Sequence, residues 1–497
     1  MSRRRMVPRT LPLLVIALAS LSCLQDNTTT QESTAPRVAP ALHDGLTAAQ
    51  GVQAQAVGQW SAPFGWVNVA THLSLLPDGR ALSFGRMNGG TPQVWDPATG
   101  AFTAMSGPLR LFCAGHLLMP DGTLMVAGGY IASDLGAPDL NFFDFRTNTW
   151  TAGPPMAAGR WYPSTTSLAN GDVLVLAGAD EAGNTVLVPE VWDAASAAWR
   201  ELTTAAKSLP YYPRTFLAPN GLVYYAGELK QTFYINPSGT GSWTYVNNRV
   251  GGVRSYGAAV MYRPGKILYV GGGNPPVRSA EIIDLNVATP VWKSTNPMLK
   301  ARRQFNTVIL PTGQVLALGG TSGTGFSNLA GAVRTTEVWN PTNGKWTTWA
   351  SNQVPRLYHS TAILLPDARV LLAGSGDAVG VAIPSEQNGE IFEPPYLFAG
   401  PRPVITAVPA IWPGGQAITL DTPDAATVTR VTLVKLPSTT HSHDMNQRFN
   451  ELTFTRTASS VDFTVTANRN ILPPGQYMVF LLSNLGVPSV SRIVQVQ

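Results

Sequence analysis

At 497 residues the chain exceeds what one compact core usually holds, so several domains or a repeat architecture are expected. Hydrophobic residues make up 44% and mean hydropathy is +0.04, which excludes a disordered chain, while charged residues at only 13% argue against coiled coils and long surface helices. The 34 Lys and Arg against 29 Asp and Glu give +5, but Arg3, Arg4, Arg5 and Arg9 carry most of that excess, so no basic face remains to suggest nucleic acid.

The basic start, the apolar run from Leu11 to Ala19 and the small residues before Cys23 have the layout of a secretory signal over residues 1–22. The apolar run is too short to span a bilayer. Cys23 resembles a lipoprotein cleavage box, which would attach the chain to a membrane through lipid; plain cleavage nearby would give a secreted protein. Residues 23–57, rich in Thr, Ser, Gln and Ala, read as a flexible tether. The other cysteine, Cys113, then has no disulfide partner in an exported protein. A buried inert thiol is the simple account.

From Gly58 onward a unit repeats: an apolar strand, a tight turn, a second apolar strand ending in Gly-Gly or Ala-Gly, then a third strand leading to Trp. The turns fall at Pro77-Asp78-Gly79, Pro120-Asp121-Gly122, Asn170-Gly171, Asn220-Gly221, Pro264-Gly265, Thr312-Gly313 and Asp367-Ala368, with spacings of 43 to 55 residues. This is near the kelch period of about 50. Closing strands such as VWDPATGAF from Val94 and VWNPTNGKW from Val338 repeat with them. The seventh unit lacks its Trp strand, and Gly58-Gln59-Trp60 is expected to supply it, closing a ring and removing an exposed edge. Residues 58–399 therefore read as a seven-bladed kelch β-propeller. After the Pro-rich boundary at Pro401 and Pro403, residues 400–497 alternate like a small immunoglobulin-like β-sandwich. The fold class is all-β.

Equivalent positions of a propeller's inner strands face one axis. The residue nine before each turn's third position gives Ala70, Cys113, Tyr162, Tyr212, Tyr256, Gln304 and His359. Apolar residues would serve a core equally well, so three Tyr, a Cys and a His converging there look like a site. Tyr358 precedes His359 and would point to the opposite face of an extended strand. Both reach one metal only where the backbone bends. His72 and His116 fall within inner strands and are read as packing or supporting groups. His441 and His443 share a strand face in the second domain, and spacing does not choose between them.

These residues carry a resemblance. From Gly58 to the end the chain resembles the copper radical oxidases, the galactose oxidase and glyoxal oxidase group. The motifs appear in order as Phe112-Cys113-Ala114-Gly115, Arg160-Trp161-Tyr162-Pro163, Arg356-Leu357-Tyr358-His359-Ser360, and Thr440-His441-Ser442 followed by Gln447-Arg448. The resemblance implies that Tyr162, Tyr358, His359 and His441 bind one copper ion, and selects His441 over His443. It implies that Cys113 is joined to Tyr162 through a thioether that carries a radical, and that Tyr358 is the general base. Two imidazoles and two phenolates with an open position suit Cu(II). The implied reaction oxidises a small aldehyde or a primary alcohol with dioxygen and releases hydrogen peroxide.

One departure stands out. In galactose oxidase a Trp from the loop after the Tyr162-type strand covers the cross-linked Tyr, and here Asp180 occupies that place. Only a short tether precedes Gly58, which leaves no room for an N-terminal sugar-binding domain. Both features favour the glyoxal oxidase type, acting on small aldehydes. Tyr212, Arg214, Tyr256 and Gln304 are candidates for the substrate funnel, with blade packing as the alternative. A galactose-type sugar or alcohol oxidase and a non-catalytic kelch surface binding module are the competing readings. The enzyme is expected to be an exported monomer.

Overall fold

The seven predicted turns each join the first two strands of an antiparallel sheet. Six of them place Gly at positive φ, between 72° and 93°, and the seventh forces Ala368 to 68°. In a computed structural model describing residues 31–38, 47–86, 90–108, 110–378 and 380–497, these sheets are the blades of a propeller. Blade 1 spans residues 72–104, blade 2 residues 115–152, blade 3 residues 164–201, blade 4 residues 215–248, blade 5 residues 258–295, blade 6 residues 306–351 and blade 7 residues 360–393. Burial falls from the axis outward: His72–Leu75 and Val173–Leu176 are buried throughout, whereas Thr149–Ala152 is largely exposed. The leader (residues 1–22), Cys23 and His43 lie outside the described residues.

Gln59–Trp60 completes blade 7 as expected, pairing Gln59 with Glu393 and Trp60 with Phe392. The Trp60 indole stacks on Phe392 at 4.9 Å and its Nε1 donates to the Ala350 carbonyl of blade 6 at 2.9 Å. The first and last strands of the ring thus belong to one sheet.

Part of the expected tether is ordered. Ala48–Val57 is an α-helix whose start carries a capping box between Thr47 and Gln50. It packs on the short helix Pro395–Phe398. Upstream, Ser33 donates from its backbone N to Val408 O at 2.9 Å and from Oγ to Ile493 O at 2.6 Å, which straps this segment to the second domain. Composition suggested a linker because the segment is polar overall; the Ala- and Gln-rich stretch is also a good helix former once its N-terminal donors are capped.

Residues 400–497 form two antiparallel-rich sheets of five and three strands around Trp412, Leu433, Phe463 and Tyr477. A hairpin leaves this sandwich and enters the ring. Ser438–Thr440 pairs with the innermost strand of blade 1, matching His72 to Thr440 and Ser74 to Ser438. The chain leaving the hairpin is pinned as well: Gln447 Oε1 accepts the Met261 N–H at 2.7 Å, and Arg448 Nη2 donates to Leu217 O at 3.1 Å.

A buried ion pair recurs between the approach to the inner strand and the third strand of a blade. Arg160–Glu190, Arg302–Glu337 and Arg356–Glu390 lie at 2.8, 2.5 and 2.9 Å, each partner at most 1% exposed. Each Glu also accepts backbone N–H groups of the chain crossing from the preceding blade; Glu337 takes those of Leu299 and Lys300. Removing one partner strands the other charge in the interior. Glu337→Ala is therefore expected to lower stability by about 3–5 kcal/mol, measured as a shift in urea or thermal unfolding; a shift within experimental error would show that the pair holds nothing together.

Candidate metal centre

The register read from the turns marks a backbone singularity. Cys113, Tyr162, Tyr212, Tyr256, Gln304 and His359 all have positive φ, between 47° and 66°. Left-handed backbone costs about 1–2 kcal/mol per non-Gly residue. It also turns the start of each inner strand toward the axis. Part of the cost is offset by a relay around the axis: Tyr162 N donates to Cys113 O, and Tyr212 N to Tyr162 O, both at 2.9 Å. Blade 1 offers only Ala70, and the hairpin paired to that blade brings His441 instead, itself at φ 46°.

Four side chains meet there. The Tyr162 and Tyr358 hydroxyls lie 2.5 Å apart. The Tyr162 and His441 rings are 4.6 Å apart, as are the His359 and His441 rings. His359 Nδ1 is 2.6 Å from the Gly376 carbonyl, an acceptor, so this nitrogen carries the proton and Nε2 keeps its lone pair. His441 Nδ1 is held by Thr440 Oγ1 at 2.6 Å. Both Nε2 atoms are buried without a hydrogen-bond partner. Orphaned imidazole nitrogens oriented through their other nitrogen are the arrangement of metal-binding histidines. Among the described residues no three His, Cys, Asp or Glu side chains are arranged to hold a metal ion by themselves, and the donors beside the two imidazoles are phenols. Two imidazoles and two phenolates fit Cu(II).

Burial holds the His359 imidazole neutral down to about 3, and pushes His441 well below its ordinary range. It raises the Tyr162 and Tyr358 phenols well above theirs. Without a cation all four groups are neutral; a bound divalent ion would reverse this for the phenols.

The fully buried Cys113 shares one cluster with Tyr162, and Trp161 packs against that cluster. Its backbone N–H donates to His72 Nε2 at 2.9 Å, which gives His72 a positioning role. His116 stays in the core, with Nδ1 3.1 Å from Ser74 Oγ. His443 is buried away from the cluster, its ring against Phe216 at 6.2 Å.

Sequence reasoning missed one residue. Trp161 stacks on Tyr162 with centroids 3.7 Å apart and planes 10° from parallel. The loop position where a covering Trp was sought holds Asp180, which accepts the Ala182 and Asn184 N–H groups of its own turn. The left-handed bend at Tyr162 folds its predecessor onto the same side, as the bend at His359 brings Tyr358 to 3.9 Å. An aromatic residue immediately before a ring position was the available signal.

The funnel candidates divide. Tyr212 stacks on Tyr162 at 4.7 Å, and Arg214 Nη2 donates to His441 O at 3.1 Å. With Tyr256 and Glu228 they line a cavity of about 230 Å³ bounded by Tyr162 and His441. Gln304 lines no cavity at the cluster, and its Oε1 accepts from Ser327 Oγ at 2.8 Å. A second cavity of about 210 Å³ opens on Tyr162, Tyr358 and His359, walled by Phe112, Trp161 and Phe326, with Arg86 and Asp377 at its side.

Comparison with known proteins supports the family resemblance read from the motifs. A glyoxal oxidase N-terminus model matches residues 274–396, and a galactose oxidase-like early set domain model matches residues 402–496. The chain is 28% identical over 457 residues to a galactose oxidase of Gibberella zeae, covering 83% of this chain and 65% of that protein, so it spans a little under two thirds of that relative. It is 29% identical over 450 residues to the aldehyde oxidase GLOX of Vitis pseudoreticulata, covering 78% of this chain and 83% of the relative. A fungal alcohol oxidase of the AA5 family, solved in complex with copper, superposes with a TM-score of 0.81 at 24% identity, over 89% of this chain and all of that one, which establishes the shared fold.

Five buried histidines set a pH dependence for the metal-free chain. His72, His116, His359, His441 and His443 are all pushed below 6.5 by burial, His116 and His359 to about 3. The unfolded chain binds their protons first, so this contribution is complete above 6.5 and is lost as pH falls toward 3. Asp444, raised to about 6, and Glu228, also raised by burial, act in the opposite sense, two groups against five. The melting temperature of metal-free protein is expected to fall between about pH 7 and about pH 4.5; a flat profile would show that these imidazoles are protonated in the fold.

Proposed function

We propose, for a chain built of a glyoxal oxidase-type propeller and a galactose oxidase-like early set domain, that it is a mononuclear copper radical oxidase acting on small aldehydes or primary alcohols. The observation that carries the reading is Cys113 packed in one buried cluster with Tyr162, whose hydroxyl meets that of Tyr358 at 2.5 Å, beside two imidazoles with orphaned nitrogens. Tyr162, Tyr358, His359 and His441 would hold the metal. Copper, when bound, supplies one redox equivalent and acidifies the oxygens around it.

Removing two electrons from a substrate requires a second equivalent, and Tyr162 is placed to store it. Coupling the Cys113 sulfur to its ring breaks one S–H and one C–H bond, forms one C–S bond and hands two electrons to dioxygen. A thioether-substituted phenol is easier to oxidise than plain Tyr. The Tyr358 oxygen takes the substrate's hydroxyl proton, and the Tyr162 oxygen takes a hydrogen atom from carbon. Dioxygen then accepts both electrons and both protons and leaves as hydrogen peroxide. Trp161 covers one face of Tyr162 and keeps water from it.

The 210 Å³ cavity facing Tyr162, Tyr358 and His359 suits a small substrate with an apolar flank against Phe112 and Phe326. Arg214 and Glu228 in the other cavity favour a second reading, an alcohol with further hydroxyl groups. Tyr212 and Tyr256 line that cavity too, and Gln304 would act on substrate only through its loop. The leader over residues 1–22 would export the enzyme, with Cys23 as the residue for a lipid anchor if cleavage is of the lipoprotein type. The enzyme would work as a monomer, residues 58–399 forming the ring and residues 400–497 supplying His441.

Peptide mapping after loading with Cu(II) in air tests this. The Cys113 and Tyr162 peptides are expected to travel as one species about 2 Da below their sum, for the two hydrogens lost on coupling. Cys113→Ser should abolish that species and oxidase activity together. A free Cys113 thiol in copper-loaded protein would end the radical reading and leave a kelch binding module.

A further inference from the structure

Tyr162 is nearly enclosed, 6% exposed, yet one line of contacting rings leads from it to solvent. Trp161 lies face to face on Tyr162 at 3.7 Å. Tyr211 meets both rings edge-on, 5.1 Å from Trp161 and 5.7 Å from Tyr162, and is 37% exposed. The alternatives end in the wrong chemistry or in the interior. Phe326 is exposed and touches Tyr358 at 4.7 Å, but a phenyl ring is far harder to oxidise than a phenol or an indole. Tyr212 is oxidisable but buried, its hydroxyl donating to the Ala114 carbonyl at 3.1 Å.

The copper radical reading, on which this inference rests, creates a use for such a line. Substrate delivers two electrons and dioxygen removes two, so turnover preserves parity. A centre with Cu(II) and closed-shell Tyr162 holds one oxidising equivalent and stands outside that cycle. It enters only by losing a single electron, and the ring that must lose it is 6% exposed, so an oxidant too bulky for the cavities beside it cannot touch it.

We propose that Tyr211 is the surface port of an electron conduit, Tyr162–Trp161–Tyr211, through which an outer-sphere one-electron oxidant generates the Tyr162 radical. The oxidant takes one electron from Tyr211, which is 37% exposed, so its phenolic proton passes to solvent water. Tyr211 recovers its electron from Tyr162 by way of Trp161 and its proton from solvent. The net change is one electron lost by the Tyr162 phenolate and one gained by the oxidant; no bond to carbon or sulfur forms or breaks. The same path lets a surface reductant quench the radical.

Hexachloroiridate(IV), an outer-sphere oxidant strong enough to oxidise an ordinary phenol, is the probe. Copper-loaded full-length protein in its radical-free Cu(II) form is mixed with it, and the radical is followed by its optical absorption and by loss of the Cu(II) paramagnetic resonance signal. Tyr211→Phe, which keeps the ring and removes the oxidisable group, is expected to slow radical formation by about tenfold or more. Tyr211→Trp should restore most of the rate. The thioether peptide and the resonance spectrum of the radical-free form serve as controls for an intact centre. If Tyr211→Phe with an intact thioether oxidises at the parent rate, the port is wrong and the oxidase reading stands. If Tyr211→Trp is as slow as Tyr211→Phe, Tyr211 acts by packing and the conduit is wrong. If the parent protein has no thioether, both readings fall.

Discussion

The site depends on a bend of the main chain more than on any single side-chain contact. Six inner strands in succession begin with a non-Gly residue held at positive φ. That conformation alone makes neighbours in sequence neighbours in space on one side of the backbone, because an extended strand would send them to opposite faces. Tyr358 and His359 can serve one centre, and Trp161 can cover Tyr162, for the same reason. The strain is tolerated because its surroundings fix it: the relay of backbone hydrogen bonds around the axis, and the buried Arg–Glu pairs two or three residues upstream.

Burial gives the centre its electrostatics. No carboxylate stands among the four converging groups, and desolvation keeps the imidazoles unprotonated and the phenols undissociated. An enclosure of that kind rejects charge unless a cation brings compensation. Imidazoles already neutral bind a metal without first releasing a proton, whereas each phenol must give one up. On the copper reading, the pH dependence of affinity would therefore rest on the two tyrosines, and Cys113, whose thiol is also pushed upward by burial, would not be an ionised competitor for the ion.

Most of this architecture was legible in the sequence because a repeat states its own register. Tight turns located the paired strands, counting back from them located the axial residues, and an absent Trp strand in the seventh unit pointed to Gln59–Trp60. The hairpin carrying His441 followed from the motif resemblance; spacing alone left His443 equal to it. What escaped were features that a period does not encode. The stacking of Trp161 depends on a φ value, which the residue names do not display. The helix Ala48–Val57 was hidden in a polar composition shared by linkers and by surface helices. The Arg–Glu pairs join residues about 30 positions apart whose kinship shows only once blades are stacked.

His441 has a particular place in time as well as in space. It sits on a hairpin whose edge partner, His72–Leu75, lies in the first blade, so all seven blades precede it in the chain. The ring can assemble its blades as they leave the ribosome, yet the last proposed donor arrives only with the domain that follows them. A chain stalled, clipped or prematurely terminated before Ser438 would keep Cys113, Tyr162, Tyr358 and His359 and lack the fourth proposed ligand. On the copper reading, placing that donor in the second domain makes the presence of this domain a condition for redox chemistry, so that copies lacking it would stay inert rather than become stray sources of oxidant.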